Sequence, residues 1–133
     1  DWPRIAEEVL LTARKAFPIE LWNRIEERLV FRPLTRLDVL QVARLLVADS
    51  SERLRKEKQI SFEATEAALG YLIEHGGYDP LLGARPMRTT IQRFIEAAVA
   101  EEILRRTVKA GDHLRVDLGE EDKLVVERAP APR

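Results

Sequence analysis

The sequence predicts an α+β fold: three main helices with a small β-sheet that includes a C-terminal hairpin, preceded by a helical fragment and a strand. Two observations carry this. Apolar residues recur at helical spacing in three blocks between Thr35 and Val99, and two runs of strict alternation follow around a turn at Gly119 to Asp122.

Asp1 can cap a first helix, and Pro3 suits its opening turn, where a missing N–H costs little. Ile5, Val9, Ala13 and Ala16 keep helical spacing until Pro18. A second short helical stretch, Glu20 to Glu27, carries Leu21, Trp22 and Ile25, and Leu29-Val30-Phe31, ended by Pro33, reads as a strand. Thr35-Arg36-Leu37-Asp38 is a capping box with Asp in place of Glu or Gln. It opens a long helix through about Lys56, with Leu37, Leu40, Ala43, Val47 and Leu54 expected on its buried face.

Gln59-Ile60 is expected as a brief strand, and Ser61 as the cap of the next helix, with Ala64, Ala68, Leu72 and Ile73 inward. Gly76-Gly77 ends that helix, since glycine accepts the left-handed conformation. After a loop from Tyr78 to Arg85, a further helix starts at Pro86, burying Met87, Ile91, Phe94, Ala98 and Val99. Gly111-Asp112 turns the chain into the alternating runs: Leu114, Val116 and Leu118 share one face, Leu124 and Val126 the other strand's matching face. Ala129 to Arg133 is a Pro/Ala tail with no means of packing.

The composition narrows the function classes. The 133 residues are 45% hydrophobic and 34% charged, with 22 basic and 23 acidic side chains. A net charge of −1 gives no reason to expect nucleic acid or an acidic membrane surface as partner. There are no cysteines, which removes disulfides and thiolate metal sites. No apolar run approaches the roughly 20 residues that span a bilayer, and the N-terminus lacks a signal-peptide layout and an initiator Met. The expectation is a cytoplasmic fragment of a longer protein.

The segments that could carry chemistry are few. No G-x-x-x-x-G-K-[ST] loop is present to cradle phosphates. Leu45-Leu46-Val47-Ala48-Asp49 imitates an apolar run ending in a metal-side carboxylate, but it sits inside a helical pattern. His75 and His113 have no second ligand at metal-binding spacing and no recognisable Ser or Cys partner, so both read as structural. Arg85 stands between Gly83-Ala84 and Pro86 at the mouth of a helix. Gly83 permits close backbone approach, Pro86 fixes the helix entry, and a guanidinium there could grip a phosphate beside the positive helix end. Arg24 follows Asn23 near Trp22 and by itself reads as a surface or ion-pair residue.

Together these segments resemble the C-terminal end of the Clp family of AAA+ unfoldases and disaggregases. Gly77-Tyr78-Asp79-Pro80, Gly83-Ala84-Arg85-Pro86 and Ile91-Gln92-Arg93 match the family's G-Y-D-P-x-x-G-A-R-P-x-x-x-x-I-Q-x segment without a gap. Glu20-Leu21-Trp22-Asn23-Arg24-Ile25-Glu26 resembles P-E-F-L-N-R-I-D, Phe31-Arg32-Pro33-Leu34 resembles F-x-P-L, and Lys109-Ala110-Gly111-Asp112 resembles K-P-G-D. Glu26 replaces the usual Asp, and Phe17-Pro18-Ile19 replaces a basic residue followed by Pro.

The resemblance implies an AAA+ lid subdomain at 35–129, a piece of the large subdomain at 1–34 that includes the arginine-finger region and last strand, and a disordered tail at 130–133. It implies that Arg85 is the sensor 2 arginine, reaching the γ-phosphate bound in its own subunit, with Gly83 and Ala84 beside it at the nucleotide. Arg24 corresponds to the arginine finger, acting in trans on nucleotide held by the next subunit. Tyr78, Asp79 and Pro80 are implied as structure near the nucleotide rather than as contacts. The implied ligands are ATP or ADP with Mg²⁺ in the intact protein, with none held tightly by this segment. Without Walker A and B motifs the segment is expected to be inactive alone. The implied partners are the chain's own large subdomain, neighbouring subunits of a homohexamer, protein substrates through the ring, and a peptidase for the protease-linked members; neither nucleic acid nor membrane is expected.

Two readings from other classes compete. A winged-helix DNA-binding domain would use three helices and a hairpin, with Arg85, Arg88 and Arg93 on a recognition helix. Its wing tip would be Glu120-Glu121-Asp122, which repels phosphates, and the balanced charge lacks a basic footprint. A standalone oligomerisation or adaptor module is the other.

Overall fold

A computed structural model describes residues 2–25, 33–105 and 108–131. The expected strand at Leu29-Val30-Phe31 lies outside the described residues, as do Glu26 and Glu27 of the second helical stretch and Pro132 and Arg133 of the tail. The chain divides into two units, Asp1–Pro33 and Leu34–Arg133.

The first unit holds α1 (Trp2–Ala16) and α2 (Ile19–Arg24), separated at Phe17-Pro18. Proline cannot supply the N–H that would continue α1 and disfavours helical geometry in the residue before it, so the chain restarts as a new helix. Neither helix buries a residue, and Ile5, Val9 and Leu11 on α1 are exposed.

The second unit opens with α3 (Arg36–Lys58), started by the capping box the sequence carries. Thr35 Oγ1 accepts from the Asp38 N–H at 3.2 Å, and Asp38 Oδ2 accepts from the Thr35 N–H at 2.9 Å. Asp serves as well as Glu here because its shorter carboxylate still spans the single turn. The buried stripe of α3 is Val39, Leu40, Ala43, Val47 and Ser50, with Leu54 half-buried. Leu37, expected inward, is 70% exposed. The helix turns its Val39 side to the core, and Leu37, two residues earlier and about 200° round the axis, must face away.

Gln59 closes α3 in the left-handed conformation, with φ of 60° and its N–H bonded to the Arg55 carbonyl. The expected strand at Gln59-Ile60 therefore starts later, as β1 (Ser61–Ala64), and Ser61 is a strand residue instead of a cap. Its N–H donates to the Asp112 carbonyl at 3.2 Å, which ties the strand start to the turn before β2. The cap of α4 (Glu66–Leu72) is Thr65, whose Oγ1 accepts from the Ala68 N–H at 3.2 Å. Ala64, assigned to the helix by periodicity, lies in β1.

After α4 the chain makes a π-type turn over Ile73–Gly77 that ends where Gly76 adopts φ of 107°. The last helix, α5, covers residues 87–104: α-helical ends Met87–Thr90 and Ala97–Leu104 flank a π-helical stretch, Ile91–Glu96. Its core residues Met87, Ile91, Ile95 and Val99 are spaced by four. On a regular helix that spacing drifts about 40° per step. The wider winding of the π stretch absorbs the drift and keeps all four facing inward. Phe94 and Ala98, expected inside, are half-buried, and Ile95 takes the central place.

The sheet has order β1-β2-β3, with β2 at His113–Leu118 and β3 at Leu124–Ala129. β1 and β2 are parallel, pairing Phe62 with Leu114, and β2 and β3 form the expected antiparallel hairpin, pairing Val116 with Val126. Phe62, Leu114 and Val116 point to the helices, while Ser61, Glu63, His113, Arg115 and Asp117 share the other face. The core of this unit is one apolar cluster joining α3, α4, α5 and the inner sheet face. The architecture is α+β.

Candidate functional site

The segment 78–86 joins α4 to α5, and its path is set by two tight places. The first is Gly77. A Cβ there would lie 2.6 Å from the Leu72 carbonyl oxygen and 2.7 Å from Met87 Cε, so only glycine lets the chain pass the first turn of α5. The second is the closed loop Asp79–Gly83. The Asp79 N–H donates to the Gly83 carbonyl at 2.9 Å, and the Gly83 N–H donates to the Asp79 carbonyl at 2.7 Å. The Asp79 carboxylate fills the ring from within: Oδ1 accepts from the Leu81 N–H at 2.7 Å and the Leu82 N–H at 3.1 Å. Gly83 leaves the loop with φ of 66°, a conformation costly for residues with a Cβ.

From that ring the chain runs directly into the helix. The Arg85 N–H donates to the Leu82 carbonyl at 3.4 Å, a long bond, and the Met87 N–H donates to the Ala84 carbonyl at 3.0 Å. Pro86 sits at the N-cap with φ of −72°, and its carbonyl accepts from both the N–H and the hydroxyl of Thr90. The Arg85 side chain is exposed, and no carboxylate among the described residues lies within ion-pair distance of it. A solvated cation thus stands at the N-terminal end of α5, where the unpaired N–H groups add positive potential. Beside it the loop tip is apolar: Leu81 is 94% exposed and Leu82 about half.

Arg24 is the last residue of α2 in the other unit, exposed and followed by Ile25 in an extended conformation. Gly83, Ala84 and Arg85 come together on one short segment; Arg24 belongs to a different unit.

Both histidines are structural, and His113 is more elaborately held than its sequence context suggests. It is 5% exposed, with Ser61 Oγ 2.7 Å from Nδ1 and Glu63 Oε1 2.8 Å from Nε2. A carboxylate can only accept, so Nε2 carries a proton, and the Ser61 hydroxyl, which can donate or accept, completes the bond at Nδ1. The three side chains ladder β1 to β2 on the outer sheet face, and Arg115 continues the ladder between Glu63 and Glu127. Parallel pairing of Ser61 with His113, 52 residues apart, is what brings them together; no motif spacing could reveal it. His75 stacks on Tyr71 with ring centres 3.8 Å apart and its Nδ1 lies 2.8 Å from the Tyr71 carbonyl.

On the same outer sheet face, Thr65 Oγ1 donates to Asp117 Oδ1 at 2.6 Å and the Leu118 N–H donates to the same oxygen at 2.8 Å. These two bonds to the charged form hold the Asp117 carboxyl below the usual carboxylate range. A groove of about 420 Å³ lies elsewhere, between the C-terminal halves of α3 and α5, floored by Leu54, Phe62, Val99 and Ile103. Among the described residues no cluster of three His, Asp or Glu side chains could hold a metal ion, and no helix is long and apolar enough to cross a membrane.

Comparison with known proteins shows the family. The family described as the C-terminal, D2-small domain of ClpB protein matches residues 34–116. The chaperone protein ClpC1 of Arabidopsis thaliana chloroplasts is 38% identical over 126 residues, covering 95% of this chain and 13% of the relative. The chloroplastic ClpA homolog of Brassica napus, an ATP-binding subunit of the ATP-dependent Clp protease, is 37% identical over 126 residues, 95% of this chain and 14% of its own length. The chaperone protein ClpB of Aquifex aeolicus (strain VF5) is 38% identical over 117 residues, 88% of this chain and 11% of its own. The chain therefore spans only about an eighth of the length of these relatives.

Proposed function

Since the chain belongs to the Clp-type AAA+ family, as a member of the ClpB C-terminal D2-small domains, we propose that it is the nucleotide-sensing lid of an ATP-driven protein unfoldase or disaggregase. In this reading Arg85 is the sensor 2 arginine and Arg24 the arginine finger. The observation that carries it is the state of Arg85: exposed, free of any ion pair among the described residues, and fixed at a helix N-terminus by a hydrogen-bonded loop.

Phosphoryl transfer spreads negative charge over the γ-phosphate oxygens, so catalysis consists largely of positioning and electrostatic stabilisation. The planar guanidinium of Arg85 can donate two parallel hydrogen bonds to phosphate oxygens, and the hydrogen-bonded loop behind it holds the backbone from which it reaches. The phosphate-binding loop would sit on a separate lobe, so the γ-phosphate would join lobe and lid. Hydrolysis would remove that joint and free the lid to rotate around the segment before α3, moving the substrate-gripping loops of a hexameric ring. Arg24, carried on the other unit, would act on the nucleotide of the neighbouring subunit. Mg²⁺ would arrive with the nucleotide and be held outside this segment; no step is assigned to it.

Two substitutions in the complete ATPase test the assignments. Arg85→Ala is expected to lower ATP turnover about 100-fold, the scale of removing one donor aimed at developing charge. Arg24→Ala is expected to lose activity in pure hexamers. Its subunits should regain turnover when mixed with subunits whose phosphate loop is disabled, because each supplies what its neighbour lacks. Mixed rings that stay inactive would rule out action in trans.

A further inference from the structure

We infer that Asp79 is the positioning residue for Arg85, acting through the Asp79–Gly83 loop and the Leu82 backbone on both sides of its Cα; this rests on the proposed role of Arg85. The chain of contacts is short and continuous. Asp79 Oδ1 fixes the Leu82 N–H, the Leu82 carbonyl accepts from the Arg85 N–H, and Gly83 closes the ring through two bonds to the Asp79 backbone. The carboxylate oxygen thereby fixes the N-terminal flank of Leu82, while the Gly83 N–H bond to the Asp79 carbonyl holds the next peptide, whose Leu82 carbonyl accepts from Arg85; the two peptides meet at the Leu82 Cα. Pro80, next to Asp79, restricts the same turn from the other side by fixing φ.

Two backbone bonds between Asp79 and Gly83 close the ring, and the carboxylate alone holds the N–H groups of Leu81 and Leu82 at its tip. Leu81 and Leu82 project outward and pack into no core, so their N–H groups would be hydrated if Asp79 were lost. Removing the carboxylate therefore loosens the loop without leaving buried donors unsatisfied, and the fold survives. What changes is the placement of a guanidinium two residues beyond Gly83, and a shift of about 1 Å at such a group can cost up to roughly 100-fold in rate. The acceptor itself is what matters, because both bonds go to one oxygen that an asparagine side chain also carries.

The test is a mutant cycle on ATP turnover in the complete ATPase, with thermal melting as a control for folding. Asp79→Ala is expected to lower kcat/KM about tenfold or more at unchanged melting temperature. Asp79→Asn should stay within about twofold of the parent. In the Arg85→Ala background, Asp79→Ala should add no further loss, because its effect passes through the arginine. Three results overturn the inference: Asp79→Ala without effect while Arg85→Ala is impaired, losses that multiply in the double mutant, or Asp79→Asn as damaged as Asp79→Ala. If Arg85→Ala itself turns over ATP normally, the sensor reading fails first and the role of Asp79 with it.

Discussion

Thr65 does two jobs with one hydroxyl. Its oxygen accepts from the Ala68 N–H to cap α4, and its proton goes to Asp117 across the sheet. Thr65→Ala should lower stability by about 1 kcal/mol, in the range of lost N-caps, measured by chemical denaturation. The pH dependence follows from the sign of the Asp117 shift. Its carboxyl is held below the ordinary range in the folded chain, so the associated stability is present above the unfolded value and is lost as pH falls through the folded one. The Thr65→Ala deficit should therefore be full at neutral pH and shrink below about pH 4; a deficit independent of pH would show the Asp117 bond to be idle. At this scale the sequence is uneven. Arg85 and its glycine–proline setting are visible in the residue order, as is the capping box at Thr35 and Asp38. Ser61 and Thr65 are both hydroxyl residues before an apolar stretch, and choosing between them needs the strand pairing that claims Ser61.

Among the elements, α5 departs most from what periodicity can tell. Apolar residues at 87, 91, 94, 98 and 99 fit a regular helix, whereas the π stretch Ile91–Glu96 rewinds the chain and puts Ile95 at the centre. Nothing in single-residue preference marks a π segment, since it is stabilised by the packing it permits. Ile95→Ala should cost about 2–5 kcal/mol as a cavity in a close-packed core, while Leu37→Ala on α3 should change stability by less than about 0.5 kcal/mol. Denaturant midpoints of the two variants decide this; comparable losses would return Leu37 to the buried face and undo the assigned rotation of α3. The turn and alternation of the hairpin β2–β3 are legible because they are local, but Ala129, read as the start of an unpacked tail, is the last residue of β3 and pairs with His113. The parallel partner β1 was displaced by two residues because its register is set by residues about 50 positions away.

On the scale of the whole molecule, the second unit is built so that a packed layer of three helices on a sheet presents one loop. Gly77 lies against Leu72 and Met87 of the core, and from there the chain runs through the Asp79–Gly83 ring to Arg85. The groove of about 420 Å³ between α3 and α5 is not lined by Arg85, and the proposed chemistry sits on the exposed loop. That arrangement suits a lid whose ligand is held chiefly by another lobe and contacted at one point. The direct measurement is steady-state ATP hydrolysis by the complete ATPase carrying Arg85→Ala, with melting temperature and hexamer formation checked in parallel. A loss of about 100-fold in kcat with fold and assembly intact is expected; normal turnover in an intact hexamer would contradict the assignment of Arg85 as the residue that senses the terminal phosphate.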